Sequence, residues 1–468
     1  MSTRMEHDLI GDKEISNECY YGVQTARASE NFHITGVTLS SFPTFIISLA
    51  KVKKAAALAN YELGLLAENK KNVICDACDE IIAGKYHDQF VVDMFQGGAG
   101  TSTNMNANEV IANIGLEKMG HQKGEYKFLH PNNDVNLSQS TNDAYPTALR
   151  VALYEKLGEL TGSMSIIKNS FAKKAAEFKD IIKMGRTQLQ DAVPMTLEQE
   201  FRTYAVMIGE DIQRVTEAQQ LVREMNLGAT AIGTGINAHP DYAKTVEAKL
   251  QEVTGRPFVT AGDLVEATQD TGAYVQISGV LKRVATKMSK ICNDLRLLSS
   301  GPRTGFGEIN LPAMQPGSSI MPGKVNPVIP EVVNQVCFQV IGTDVAVTMA
   351  CEGGQLQLNV FEPVIAYNLF NSVNMMRNAF ETLAYTCVDG ITANPERCKS
   401  LVLNSIGLVT ALNPFIGYEN STSVAKEALE TGGSVYDIVL ERGLLAKAEL
   451  DDIIKPENMI KPRTYDKK

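Results

Sequence analysis

The chain is poor in histidine. Its 468 residues include six, at His7, His33, His87, His121, His130 and His239. No two stand at metal-ligand spacing, so neither a zinc centre nor a Ser-His-Asp relay is expected, and no metal is assigned. Uninterrupted apolar runs of about 18 residues are also missing, which argues against a membrane-spanning helix. The first residues carry Arg4, Glu6, Asp8 and Asp12 with no apolar stretch, so no secretory leader is expected. The eight cysteines follow no disulfide framework. Cys75 and Cys78 form a CxxC, but Asn72–Ile82 reads as helix and no second pair accompanies it. The cysteines therefore read as small core residues in a reducing, cytoplasmic compartment. A net charge of −10 argues against nucleic acid or an anionic membrane as the main partner.

Helical periodicity is abundant by contrast. Tyr154, Leu157, Leu160, Met164, Ile167, Phe171 and Phe178 recur at spacings of three, four and seven. Leu197, Phe201, Tyr204, Ile208, Ile212 and Val215 do the same behind a Thr196-x-x-Gln199 capping box. Two more runs cover Gly272–Leu298 and Val332–Met349. Helices this long, with apolar stripes, predict a mainly α fold built on a central bundle. The stripes of Val332–Val340 and Val345–Met349 are too wide for one chain to cover, so a homo-oligomer is expected. From Asn394 the pieces shorten and charge clusters such as Glu449–Asp452 appear. The expected domains are residues 1–141, 142–393 and 394–468, the last one small.

Polar segments rich in Gly, Ser, Thr and Asn interrupt the helices at Gly97–Asn108, Asn132–Asp143, Gly185–Pro194, Asn226–Pro240 and Gly301–Pro327. Such segments are where chemistry is expected. Gly233-Thr-Gly235-Ile-Asn-Ala238 has dinucleotide spacing, but it follows a helical stretch and Pro240 closes it, so it reads as a turn. No cofactor is assigned. Gly317-Ser-Ser-Ile-Met-Pro-Gly-Lys-Val-Asn-Pro327 cannot be a helix interior or a central strand. It gathers two hydroxyls, one ammonium and one carboxamide just ahead of the helix starting near Val328, as an anchored catalytic flap would.

This flap resembles the signature of the fumarase/aspartase superfamily, and the resemblance extends further. Gly97-Gly-Ala-Gly-Thr-Ser-Thr-Asn-Met-Asn106, Ser138-Gln-Ser-Thr-Asn-Asp143 and Gly185-Arg-Thr-Gln-Leu-Gln-Asp-Ala192 resemble its other active-site segments. Tyr20-Tyr-Gly-Val-Gln-Thr25 and Ser405-Ile-Gly407 carry the likeness over nearly the whole chain. Asn326-Pro-Val-Ile-Pro-Glu-Val-Val-Asn-Gln335 reads like the aspartase branch. Gln188 stands where fumarases and some aspartases have histidine, which removes a histidine relay there.

The resemblance implies a three-domain lyase fold whose bundle forms the core of a homotetramer. Its active sites would be shared between subunits, three to a site by the family's pattern. The implied reaction is anti elimination of ammonia from L-aspartate to fumarate, with fumarate hydration as the alternative. Removing a proton beside a carboxylate creates a dianionic aci-carboxylate. Preorganised donors stabilise such an ion by roughly 3 kcal/mol each. Thr101, Ser140, Thr141 and Ser319 are assigned by resemblance to this carboxylate. Ser318 is the candidate base, and Lys324 and Asn326 would bind the α-carboxylate. Asn142, Thr187 and Gln188 would hold the ammonium through neutral oxygens.

Overall fold

The computed structural model describes residues 2–462. Helix makes up 61% of the chain, in keeping with the periodicity. A hairpin of β1 (Thr3–Asp8) and β2 (Gly11–Ser16) leads into α1 (Val23–Asn31), α2 (Pro43–Glu62), α3 (Glu68–Ile82) and α4 (Thr101–Lys118). Helix α5 (Thr141–Glu177) is followed by the antiparallel pair β3 (Ile182–Thr187) and β4 (Gln190–Thr196), then α6 (Leu197–Leu221). Two-residue β5 (Glu224–Met225) and β6 (Val259–Thr260) pair in parallel around α7 (Tyr242–Thr254). Short α8 (Leu264–Ala267) precedes α9 (Gly272–Leu298), β7 (Ile309–Asn310), α10 (Val328–Glu352) and α11 (Glu362–Thr386). β8 (Thr392–Ala393) pairs with β7 and opens a run of short helices, α12 (Pro395–Leu403) to α17 (Pro456–Met459).

The chain divides into two compact units. One comprises Met1–Thr161, Gln213–Arg283 and Gln339–Met375. Its core includes Phe45, whose ring meets Tyr145 at 5.4 Å and Phe370 at 5.2 Å. The other comprises Gly162–Ile212, Val284–Phe338 and Met376–Lys468. There Phe171, Phe178, Phe201 and Tyr204 interlock, with Phe178 and Phe201 5.1 Å apart and nearly perpendicular. Within it, Leu408, Leu412, Val424, Val439, Leu450 and their neighbours close a separate small core.

Helix boundaries follow local chemistry. The expected capping box at the start of α6 forms: Thr196 N donates to Gln199 Oε1 at 3.0 Å, and Gln199 N donates to Thr196 Oγ1 at 3.1 Å. Two polar segments differ from expectation. Thr101–Asn108 is already helix, because its amides pair inside the protein instead of breaking the turn. Gly185–Pro194 lies within a β-hairpin, with Gln188 (φ 53°) and Leu189 (φ 62°) in its two-residue turn. Such a turn needs positive φ at both positions, usually Asn-Gly, so these two side chains hide it from the sequence.

Among the described residues one helix, α10, is long and apolar enough to cross a bilayer, and the bent pair α12 with α13 (Leu408–Ile416) passes the same test together. Polar groups along α10 are tied to α9. Asn334 donates to Ser289 O at 3.1 Å, and Asp344 accepts from Ser278 at 2.7 Å and from Lys282. Among the apolar side chains of α10, Phe338 and Val345 are 60% exposed and Met349 69%.

The hairpin β3–β4 is anchored by charge. Buried Glu308 lies 2.7 Å from Arg186 Nη1 and 3.2 Å from Lys183 Nζ, and Arg186 also stacks on Phe306. Removing one member of a buried cluster leaves the others uncompensated, at a cost of about 3–5 kcal/mol. Glu308→Ala should therefore lower the guanidinium unfolding midpoint by that equivalent. An unchanged midpoint would show that the remaining partners, Glu200 at 2.8 Å from Lys183 and Asp191 at 3.9 Å from Arg186, suffice for the two cations.

Candidate active site

The residues assigned to the site fall into separate groups, each set by its own backbone. In the first unit, Gly98, Ala99 and Gly100 all take positive φ (89°, 56° and 89°). This left-handed turn delivers the chain to Thr101, the first residue of α4. A Cβ on Gly100 would lie 2.3 Å from the Tyr145 ring, so glycine is required there. Thr101 is exposed, with its hydroxyl on Gly98 O at 2.7 Å. One turn along, buried Asn104 donates through Nδ2 to Thr141 Oγ1 at 3.2 Å.

Thr141 opens α5, and Ser140 precedes it. The Ser140 hydroxyl accepts from Asn142 N at 3.3 Å, and Asp143 Oδ1 accepts from Ser140 N at 2.8 Å. This is a reciprocal cap with aspartate at the third helical position. The other oxygen of Asp143 accepts from Gly228 N at 3.1 Å and Thr230 N at 2.9 Å. The Asn226–Pro240 segment is thus a turn, as expected, and amides of its glycine loop are spent on a carboxylate of the protein itself. Burial nevertheless pushes Asp143 up to about 6. Asn142 Nδ2 donates to Ala231 O at 2.8 Å, which leaves its Oδ1 as the acceptor presented outward.

In the second unit Thr187 closes β3 and Gln188 occupies the strained turn. A non-glycine residue held at positive φ costs on the order of 1–3 kcal/mol, and such positions cluster at functional sites. The flap sits on its own closed base: Gly317 N donates to Lys324 O at 2.8 Å, and Asn326 Nδ2 donates to Gly317 O at 2.8 Å. One N–H of Asn326 is therefore occupied in bracing the loop. Within the loop, Ser318 Oγ accepts from Ile320 N at 3.2 Å and Met321 N at 3.1 Å. Two backbone dipoles aimed at one hydroxyl oxygen favour its anionic form. Ser319 and Lys324 are exposed, and Lys324 has no ion-pair partner among the described residues. No hydrogen bond joins the flap to the hairpin turn among the described residues.

One chain therefore joins Thr141 to Asn104, three residues after Thr101 on α4, and holds Ser140, Thr141 and Asn142 in one turn. It gathers Ser318, Ser319, Lys324 and Asn326 in one loop. The sequence reading missed the scaffold behind these groups, above all Lys53, Asn104 and Asn136. Lys53 and Asn104 show in the sequence only as polar residues on helix faces that periodicity would fill with apolar ones, and Asn136 lies in a turn. Cys75 and Cys78 are buried core residues, and burial pushes the Cys75 thiol up to about 11.

A family model described as Lyase matches residues 11–342, and one described as Fumarase C C-terminus matches residues 408–461. Aspartate ammonia-lyase of Helicobacter pylori (strain ATCC 700392 / 26695) is 68% identical over 464 residues, covering 99% of both chains. Aspartate ammonia-lyase of Escherichia coli (strain K12) is 58% identical over 460 residues, covering 98% of this chain and 96% of that one. Among solved structures, a fumarate lyase:delta crystallin from Brucella melitensis bound to cobalt superposes with a TM-score of 0.96 at 54% identity. That match covers 98% of this chain and 100% of that one. A class II fumarase from Schistosoma mansoni superposes with a TM-score of 0.93 at 34% identity, covering 98% and 99%.

The flap's base is also its weakest point. A Cβ on Gly317 would sit 2.6 Å from Lys324 O and 2.7 Å from Asn326 N. Gly317→Ala should open that base, lowering kcat by about tenfold or more while the unfolding midpoint barely moves, since the loop lies outside the core. Wild-type turnover in this variant would show that the closed base is dispensable.

Proposed function

The chain belongs to the fumarase/aspartase lyase superfamily, and from that premise we propose that it is an aspartate ammonia-lyase, converting L-aspartate reversibly to fumarate and ammonia. Full-length identity with enzymes of that name carries the substrate assignment. The lower identity to the fumarase makes hydration the weaker reading.

In the mechanism we propose, Ser318 removes the proton next to the β-carboxylate. A free hydroxyl is a poor base, and the two N–H groups on Oγ are what make its oxyanion accessible at neutral pH. Charge then moves onto the β-carboxylate, where hydroxyls of Thr101, Ser140, Thr141 and Ser319 act as donors. Lys324, with the remaining N–H of Asn326, holds the α-carboxylate. Asn142, Thr187 and Gln188 hold the ammonium with neutral oxygens, since a carboxylate there would retain the leaving amine.

The same reading includes a cytoplasmic homotetramer with active sites shared between subunits, and domains at 1–141, 142–393 and 394–468. The exposed side chains Phe338, Val345 and Met349 on α10 support the assembly, because an apolar stripe that long is costly in water. The separate small core around Leu412 and Val439 supports the last domain.

Fumarate absorbance separates the readings. It should rise on adding aspartate and stay flat on adding malate or argininosuccinate; a rise with malate alone would establish the hydratase instead. On aspartate, Ser318→Ala should lose about 10² or more of kcat and still bind a substrate analogue. Near-native turnover would remove Ser318 from the base role.

Shared sites make a separate prediction. Mixing inactive Ser318→Ala chains with inactive Thr141→Ala chains, followed by reassembly, should restore part of the activity. No recovery at any ratio would place each site within a single subunit.

A further inference from the structure

An ammonium lies buried behind Thr141. Lys53 projects from α2 and is fully buried. Its Nζ donates to Asn104 Oδ1 at 2.7 Å, Asn136 Oδ1 at 2.9 Å and Gln139 Oε1 at 2.9 Å. These are three neutral acceptors for three N–H bonds, and their orientation is over-determined. Asn136 Nδ2 is committed to Gln139 O at 3.1 Å, and Gln139 Nε2 to Val135 O and Leu137 O, both at 3.1 Å. Each amide must therefore turn its oxygen toward Lys53.

Asn104 is the third. With its oxygen on an ammonium, which has no lone pair to offer, its NH2 is forced outward. That NH2 donates to Asn136 Oδ1 at 3.1 Å and to Thr141 Oγ1 at 3.2 Å. A threonine hydroxyl that accepts from this side must send its own hydrogen elsewhere. We infer that Lys53 is a positioning residue of the proposed reaction: by fixing the direction of the Asn104 amide, it makes Thr141 a hydrogen-bond donor toward the substrate carboxylate.

The inference rests on the function proposed above and adds a residue that touches no substrate. Its energetic logic is preorganisation. The donor is aimed before charge develops, so nothing reorients in the transition state. The buried charge is itself costly: desolvation holds Lys53 down to about 7, with Asp143 pulling the other way. An ammonium with no hydrogen-bonded carboxylate, kept in such a place, favours a directional role over a stabilising one.

Two variants test the relay in the assembled enzyme. Lys53→Gln, which frees the Asn104 amide to turn, should lower kcat by roughly 10²-fold with KM changed less than about threefold. Asn104→Asp keeps shape and keeps Lys53 paired but can only accept from Thr141. It should lower kcat at least as far as Thr141→Ala while the unfolding midpoint stays near the parent's. Placed in a Thr141→Ala background, either change should cost no more than about threefold, because the group through which it acts is gone.

Equal losses in both backgrounds, or wild-type kcat in either single variant, would overturn the inference. Should Lys53→Gln fail to fold, Asn104→Asp alone decides it. Near-native turnover of Thr141→Ala would remove Thr141 from the site and the inference with it, leaving the aspartase reading intact. A parent enzyme that makes no fumarate from aspartate would defeat both.

Discussion

The first turn of α5 is held by a buried carboxylate, and three residues assigned to substrate are its immediate neighbours. Asp143 accepts from Ser140 N on one side and from Gly228 N and Thr230 N on the other. Only a carboxylate offers two oxygens with enough lone pairs to serve donors from two directions at once. The result fixes Ser140, Thr141 and Asn142 relative to the 226–231 loop. Asn142 is then locked from both ends, donating to Ala231 O while its own carbonyl accepts from Asn226 Nδ2 at 3.0 Å. Burial works against this carboxylate, and three N–H donors offset the cost. Replacing it with an amide would leave at least one buried N–H unmatched, at about 1–3 kcal/mol.

The flap has a different physics. It carries no apolar side chain into a core, and Ile320 at its tip is 83% exposed. Its order comes from the bonds between Gly317, Lys324 and Asn326 at the base and from the Ser318 turn inside. Local openings of such a loop cost little, which suits a segment that must admit aspartate and release fumarate. Ser318, the proposed base, and its two N–H partners lie together in one turn. An opening of the whole loop would therefore leave both N–H bonds on the Ser318 hydroxyl in place. Thr141 is held by the capped start of α5 and Ser318 by the turn of its own loop, so the proposed donor and the proposed base are ordered by separate devices.

The long helices were legible because their signal is repetition. Gly272–Leu298 matches α9 residue for residue, and the Thr196–Gln199 box marks the start of α6. The segments that hold the candidate residues stood out as polar stretches, and within them the family resemblance singled out Thr101, Ser140–Asn142 and the flap. Where a segment's structure depended on unusual backbone, the sequence was silent. Gln188 and Leu189 are not the residues that announce a tight hairpin, yet both hold positive φ, as the two-residue turn requires, next to a strand whose Arg186 and Lys183 pair with Glu308. Lys53 was hidden for the opposite reason. It stands in an ordinary helix beside Lys54, which reaches the surface and pairs with Asp79 at 2.6 Å. Nothing in the pair Lys53-Lys54 says which ammonium turns inward; that depends on Asn104 and Asn136, far along the chain.

The neutral acceptors proposed for the leaving group limit how specific such a site can be. A pocket of hydroxyl and amide oxygens binds an ammonium, and hydroxyl groups can also donate to a neutral leaving oxygen. Under the proposed assignment Gln188 is one of three leaving-group contacts, and the one where the sequence departs from a histidine. A glutamine side chain offers one carbonyl oxygen and two N–H donors, with no proton to exchange at neutral pH. Loss of water requires protonation of the departing hydroxyl, whereas an ammonium leaves already carrying its proton. Under the proposed assignment Gln188 supplies no titrating group for that extra proton, which is compatible with loss of an amine.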